Sequence, residues 1–142
     1  ALTDTYTVDL FLENFDAGLA RQFDGVRQDS GDPLVFVDKL LAHYHRFDIS
    51  PENKKFVFSD GLDSERAIKI HQYVNGRAMD SYGIGTFITN DFPNSPPLDI
   101  VIKLTNTNGK PSIKTGEGQV KGSGESRAVQ KAREIINRKC SK

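Results

Sequence analysis

Three short polar segments bring together residue types that can do chemistry: Arg27-Gln28-Asp29-Ser30-Gly31-Asp32, Ser59-Asp60-Gly61 and Gly83-Ile84-Gly85-Thr86. They offer a guanidinium, carboxylates, hydroxyls and glycine-flanked backbone N–H groups. Glycine permits positive φ and close approach of the backbone to an anion. Successive N–H groups in such turns form anion-binding nests. Carboxylates in the same place repel a bare phosphate. They make sense if they hold ribose hydroxyls or a Mg²⁺ ion bridging diphosphate oxygens. A phosphorylated ribose with a metal fits this combination best. Each segment alone reads as a turn or a helix cap, and Gly-Ile-Gly-Thr is shorter than a full glycine-rich fingerprint. The joint pattern is what points to a site.

The elements around these segments place them at successive strand ends. Phe23–Asp29 reads as a buried strand, and Asp32-Pro33 supplies an N-cap and a first helical residue. Val37, Leu40, Leu41 and Tyr44 then share a helix face. Lys55–Phe58 is a second strand, with Phe56 and Phe58 in the core. A helix follows from Ser64, with Ala67, Ile68, Ile70, His71 and Val74 inward and Asn75-Gly76 as its stop. A third strand spans Ala78–Tyr82. Before all of these, Val8, Leu12, Phe15 and Leu19 recur at helical spacing, and residues 1–4 read as the end of an earlier strand. The order strand, helix, strand, helix, strand predicts an α/β fold with parallel strands. Ligand sites in such folds lie beyond the carboxyl ends of the strands.

After Asp91 the pattern changes. Leu98–Thr105 and Pro111–Lys114 predict a β-hairpin, residues 115–124 a polar glycine-rich link, and Glu125–Lys139 an amphipathic helix with Val129, Ala132, Ile135 and Ile136 inward. We therefore expect two regions, 1–97 carrying the strand ends and 98–142 carrying hairpin, link and helix.

Composition excludes several classes. The 19 basic and 19 acidic residues cancel, which leaves no net charge to steer the chain to nucleic acid or a membrane. No apolar run approaches the ~20 residues of a membrane span. One cysteine, Cys140, rules out an internal disulfide and a cysteine metal cluster, and makes a reducing, cytoplasmic setting the default. His43 and His45 are two apart on a helix and do not share a face, which argues against zinc. The histidines read as packing or surface groups.

The motifs resemble those of nicotinate phosphoribosyltransferases. Phe23-Asp-Gly-Val-Arg-Gln-Asp-Ser-Gly-Asp-Pro33, Val57-Phe-Ser-Asp-Gly-Leu62, and Tyr82-Gly-Ile-Gly-Thr86 followed by Thr89-Asn-Asp91 are similar to family signatures in order and spacing. Leu2-Thr-Asp-Thr-Tyr-Thr7 resembles the preceding segment, and Leu98–Lys103 with Asn108–Pro111 the following strand pair. The resemblance is strong over residues 1–114 and weak over the tail. It implies part of an irregular α/β barrel of the type II phosphoribosyltransferase kind. It also implies a reaction that joins nicotinate to phosphoribosyl pyrophosphate, giving nicotinate mononucleotide and pyrophosphate with ATP hydrolysis and Mg²⁺.

Carried over by motif, Arg27 lies near the pyridine carboxylate or a donor phosphate, and Asp29 near the ribose or ring. Ser30 and Asp32 support that strand end, with Asp32 as a helix cap. Ser59, Asp60 and Gly61 face ribose or phosphate. Gly83, Gly85 and Thr86 bind the 5′-phosphate, with Thr3 and Asp4 as weaker candidates. The resemblance implies a homodimer with sites near the subunit boundary. None of His43, His45 and His71 matches the family's phosphorylatable histidine. The expectation is a C-terminal portion, inactive alone, that needs an N-terminal half for ATP coupling. Two other readings stay open: a nicotinamide or quinolinate relative, and a non-catalytic phosphate-binding fragment.

Overall fold

The computed structural model describes residues 1–98, 100–115 and 124–140. Two short helices open the chain, α1 (Val8–Asn14) and α2 (Ala17–Gln22). The apolar spacing from Val8 to Leu19 is therefore interrupted at Phe15-Asp16. Thr7 caps α1, its Oγ1 accepting from Leu10 N at 3.1 Å, and Asp16 starts α2 afresh, accepting from Leu19 N at 2.9 Å.

The central sheet consists of β1 (Gly25–Gln28), β2 (Lys55–Phe58) and β3 (Met79–Tyr82), in that order and all parallel. It is slightly shorter than the sequence pattern predicts at β1 and β3. Leu2 adds a parallel bridge to Arg27, so residues 1–3 run beside β1 as a fourth extended segment. Helix α3 (Pro33–Arg46) connects β1 to β2, and α4 (Ser64–Val74) connects β2 to β3. Asp32 caps α3 and Pro33 begins it, as expected. Asn75, at φ 48°, closes α4 in the left-handed conformation.

Side chains alternate across the strands, and this sets the core. Val26, Gln28, Phe56 and Phe58 point to one face and are buried. Phe36 of α3 meets Phe56 and Phe58 edge-on, Tyr44 stacks on Phe56, and Tyr82 stacks on Phe58. On α4 only Ile70 and Val74 are buried. Ile68 is 56% exposed, because at 100° per residue it sits on the far side of the helix from Ile70. The His71 side chain is also exposed, at the flank of that apolar stripe. The inward placement expected for Ile68 and His71 is corrected accordingly.

Both α3 and α4 contact the same face of the sheet, through Phe36 and Tyr44 and through His71 on Asp80. The opposite face, bearing Leu2, Arg27, Lys55, Val57 and Met79, lines an open concavity of about 750 Å³. Gly25 lies on this sheet where the backbones crowd. A Cβ there would come 2.0 Å from the Lys55 carbonyl oxygen.

Beyond β3, α5 (Thr86–Thr89) is a single turn. The expected strand over Leu98–Thr105 is not formed among the described residues of that run. Among the described residues the paired strands of this region are β4 (Asn106–Thr107) and β5 (Lys110–Pro111). Leu98, Ile100, Val101, Ile102 and Leu104 are all exposed. A β-prone run needs a partner to become a strand, and intrinsic propensity alone does not supply one. Helix α6 (Ser126–Cys140) forms where a last helix is expected. Its Val129, Ala132 and Ile136 are half-buried, whereas Ile135 is 44% exposed rather than inward. Most of the glycine-rich link, residues 116–123, lies outside the described residues.

Candidate functional site

The parallel register aligns the candidate segments. Gln28, Phe58 and Tyr82 are paired across β1, β2 and β3, so Asp29, Ser59 and Gly83 emerge side by side at the carboxyl edge. The Leu2–Arg27 bridge brings Thr3 and Asp4 to the same edge. Four neighbouring chain ends span three gaps of about 4.8 Å, roughly 14 Å in all.

At the first end, Arg27 Nη2 lies 3.6 Å from Asp29 Oδ2, both side chains partly exposed. Ser59 ties the next end to it, with Oγ 2.9 Å from Asp29 Oδ1 and 2.9 Å from the Gln28 carbonyl oxygen. Asp29 is thus oriented from both sides, and a guanidinium and a carboxylate project together from one strand end. Thr3 is buried against the same strand, its Oγ1 donating to the Arg27 carbonyl at 3.1 Å. Asp4 is buried and accepts a 2.5 Å hydrogen bond from Ser30 Oγ. These two residues therefore brace the Arg27–Ser30 segment from beneath.

Asp32 Oδ1 is engaged at the start of α3, accepting from Leu34 N at 2.7 Å and Val35 N at 3.2 Å. Its position makes it the cap that turns the chain away from the edge. Asp60 is half-buried beside Gly61, whose φ of 55° suits glycine and whose carbonyl accepts from Arg66 Nη1 at 2.8 Å. Gly83 continues the sheet by donating to the Phe58 carbonyl at 2.8 Å, and a Cβ on it would meet Ser59 Cβ at 3.3 Å. Gly85 and Thr86 are exposed at the rim, and nothing lies within 4 Å of a Cβ built on Gly85.

Several supporting residues are not among the candidates that the sequence singles out. Gln28 is 1% exposed and donates from Nε2 to the carbonyls of Ser30 and Gly31, at 2.9 and 3.0 Å. It shapes the turn after β1 from inside the core. Below Gly83, His71 Nδ1 donates to Asp80 Oδ2 at 2.7 Å, and Tyr82 donates to the same oxygen. Burial pushes the Asp80 carboxyl up, but the hydrogen bonds from Tyr82 and His71 outweigh it and hold the pKa below the ordinary carboxylate value. Burial and the adjacent Asp80 raise the Tyr82 phenol. This network fixes the strand that delivers Gly83. His43 is buried with Nε2 2.7 Å from the Phe15 carbonyl, away from the edge.

The C-terminal region also reaches the site. Thr115 Oγ1 donates to the Thr5 carbonyl at 2.6 Å. A cavity of about 400 Å³ lies between the two, lined by Asp4, Arg27 and Asp29 on one side and Ile113, Lys114 and Thr115 on the other. No sequence signal marks this contact, because it joins residues 110 positions apart.

The sequence matches the family model described as "Nicotinate phosphoribosyltransferase (NAPRTase) family" over residues 1–139. The chain belongs to the nicotinate phosphoribosyltransferase family. It is 44% identical over 142 residues to a nicotinate phosphoribosyltransferase of Methanosarcina mazei, covering 98% of this chain and 35% of that protein. It is 46% identical to that of Vibrio cholerae over 125 residues, with 82% and 29% covered. Among solved structures, a crystal structure of nicotinate phosphoribosyltransferase from Vibrio cholerae superposes with a TM-score of 0.89 at 42% identity, covering 96% of this chain and 34% of that one. That from Porphyromonas gingivalis gives 0.86 at 37% identity, with 96% and 37% covered. The chain thus spans about a third of the length of the curated relatives it matches.

Proposed function

We propose that this chain forms the donor-binding side of a nicotinate phosphoribosyltransferase, in which nicotinate and phosphoribosyl pyrophosphate give nicotinate mononucleotide and pyrophosphate. The observation that carries this reading is the alignment of Arg27-Asp29, Ser59-Asp60-Gly61 and Gly83–Thr86 at one edge of a parallel sheet. Covering helices on a single face of that sheet are the winding sense of a barrel, whose carboxyl-end loops form the site.

In the reaction, the bond from ribose C1 to pyrophosphate breaks and pyrophosphate departs with the electron pair. Positive charge develops on the ribose, and the pyridine nitrogen supplies the pair for the new bond to C1. The protein's part is positioning and charge stabilisation. Asp29, held by Ser59, and Asp60 face the ribose and the charge that grows there. Arg27 takes an anionic group, the pyridine carboxylate or a donor phosphate, by charge-assisted hydrogen bonding. The Gly83–Thr86 loop takes the 5′-phosphate.

Mg²⁺ fits this donor set. No group of three or more His, Cys, Asp or Glu side chains gathers around one point among the described residues, but Mg²⁺ needs only one or two carboxylates when substrate phosphates complete its shell. Asp29 and Asp60 are the residues that would hold it, and the ion would neutralise the departing pyrophosphate. ATP hydrolysis belongs to the proposed reaction as a coupled step outside the residues assigned here. The exposed run Ile100–Leu104 supports further burial in the intact enzyme, against more of the barrel or a second subunit. A cytoplasmic homodimer is part of the same proposal.

The direct test incubates the intact protein with phosphoribosyl pyrophosphate and either nicotinate, nicotinamide or quinolinate, with and without ATP. Formation of nicotinate mononucleotide from nicotinate alone is expected, at a rate raised by ATP. Product from nicotinamide or quinolinate instead, or from none of the three, contradicts the reading.

A further inference from the structure

We propose that Lys114 is a further binding residue of this site, whose ammonium takes a phosphate or pyrophosphate group of the sugar donor from the C-terminal wall. The proposal rests on the donor-binding reading above and extends it to a part of the chain outside the strand-end motifs.

The geometry comes from the cavity of about 400 Å³ at the first strand end. Asp4, Arg27 and Asp29 line it from the sheet, and Lys114 lines it from the opposite side. The backbone that carries Lys114 is fixed there. Its neighbour Thr115 donates a 2.6 Å hydrogen bond to the Thr5 carbonyl, and α6 contacts α1 and adds Ala132 to the cavity wall. Lys114 is therefore held at the mouth of the site by the Thr115 contact next to it in the chain.

Charge points the same way. Asp4 and Asp29 bring two negative charges to this cavity, and Arg27 brings one positive charge. With Lys114 the wall is neutral. Without it the cavity carries a net negative charge and opposes an anionic donor. Asp4 is already engaged by Ser30, and Asp29 by Ser59 and Arg27. Lys114 makes no ion pair among the described residues, and its side chain is exposed toward the cavity. A flexible ammonium of this kind acts as a point charge for phosphate and needs no planar, bidentate partner. That favours the donor phosphates over the single carboxylate of the pyridine.

The test is isothermal titration of the intact protein with phosphoribosyl pyrophosphate and, separately, with nicotinate. Lys114→Gln should weaken donor binding about tenfold, the effect of losing one charged hydrogen bond, while nicotinate binding stays within twofold. Lys114→Arg should restore donor binding to within about threefold of the parent. Unchanged donor binding in Lys114→Gln, a loss confined to nicotinate, or a Lys114→Arg protein as weak as Lys114→Gln would overturn the proposal. Arg27→Ala serves as the parallel control. If Arg27→Ala weakens ligand binding and Lys114→Gln does not, only the Lys114 assignment fails. If neither variant changes either titration, the strand-end site itself fails.

Discussion

Ser59 Oγ stands 2.9 Å from Asp29 Oδ1, a contact between two strand ends 30 residues apart in sequence. It makes the first and second loops one unit, because the same hydroxyl also lies 2.9 Å from the Gln28 carbonyl. Removing it should loosen Asp29 without unfolding the sheet. Ser59→Ala should lower kcat about tenfold, from a lost hydrogen bond worth ~1 kcal/mol together with misorientation of the carboxylate. Ser59→Thr should retain more activity than Ser59→Ala. Steady-state rates on the intact enzyme check this, and equal activity of Ser59→Ala and the parent would remove the coupling.

Arg27 is expected to carry an anionic substrate group. Arg27→Ala should raise the KM of nicotinate or of the donor by roughly 10- to 100-fold, the equivalent of about 1.5–3 kcal/mol for a charged hydrogen bond. Its side chain is partly exposed, so the melting temperature should change little. Initial rates with each substrate varied in turn separate the two effects.

Gly25 serves the sheet rather than the chemistry. A Cβ 2.0 Å from the Lys55 carbonyl oxygen forces β1 and β2 apart. Gly25→Ala should destabilise by about 3 kcal/mol or more. Gly85→Ala should behave in the opposite way, since its Cβ enters open space. Thermal melts should separate the pair, and donor titration should show a loss of phosphate affinity in the folded Gly85→Ala protein.

The network under β3 sets a pH dependence. Asp80 has a folded-state pKa below its ordinary value of 3.8. Its contribution to stability is therefore present above that value and is lost as pH falls through the lowered folded-state pKa. Asp80→Asn should reduce stability at neutral pH and flatten the acid limb below about pH 4. Urea melts between pH 2.5 and pH 7 would show it. An acid limb of the same slope in both proteins would remove Asp80 from the balance.

How far the site could be read beforehand follows from how local its signals are. Asp32-Pro33 announces α3 because cap and first residue act within one turn. Lys55–Phe58 shows its strand as a short run of aromatic and β-branched residues closed by the Ser59-Asp60-Gly61 turn. The division between α1 and α2 was available in Asp16 but masked by continuous apolar spacing across it. Ile68 misleads because it is apolar and near Ile70 in sequence, yet lies on the far side of α4 from the buried stripe. Gln28 and Lys114 carry nothing in their residue types that marks a role in the site. One is polar in a core, and the other reaches the site through a contact spanning the chain. Leu98–Thr105 has the composition of a strand, but pairing depends on a partner that composition does not specify.

We expect the sugar donor to lie along the carboxyl edge of this sheet. Crystallography of the intact protein soaked with phosphoribosyl pyrophosphate tests it most directly. Donor density is expected in contact with Arg27 or Asp29, with Asp60-Gly61 and with the Gly83–Thr86 loop at once. Donor density elsewhere, with these three segments untouched, would contradict it.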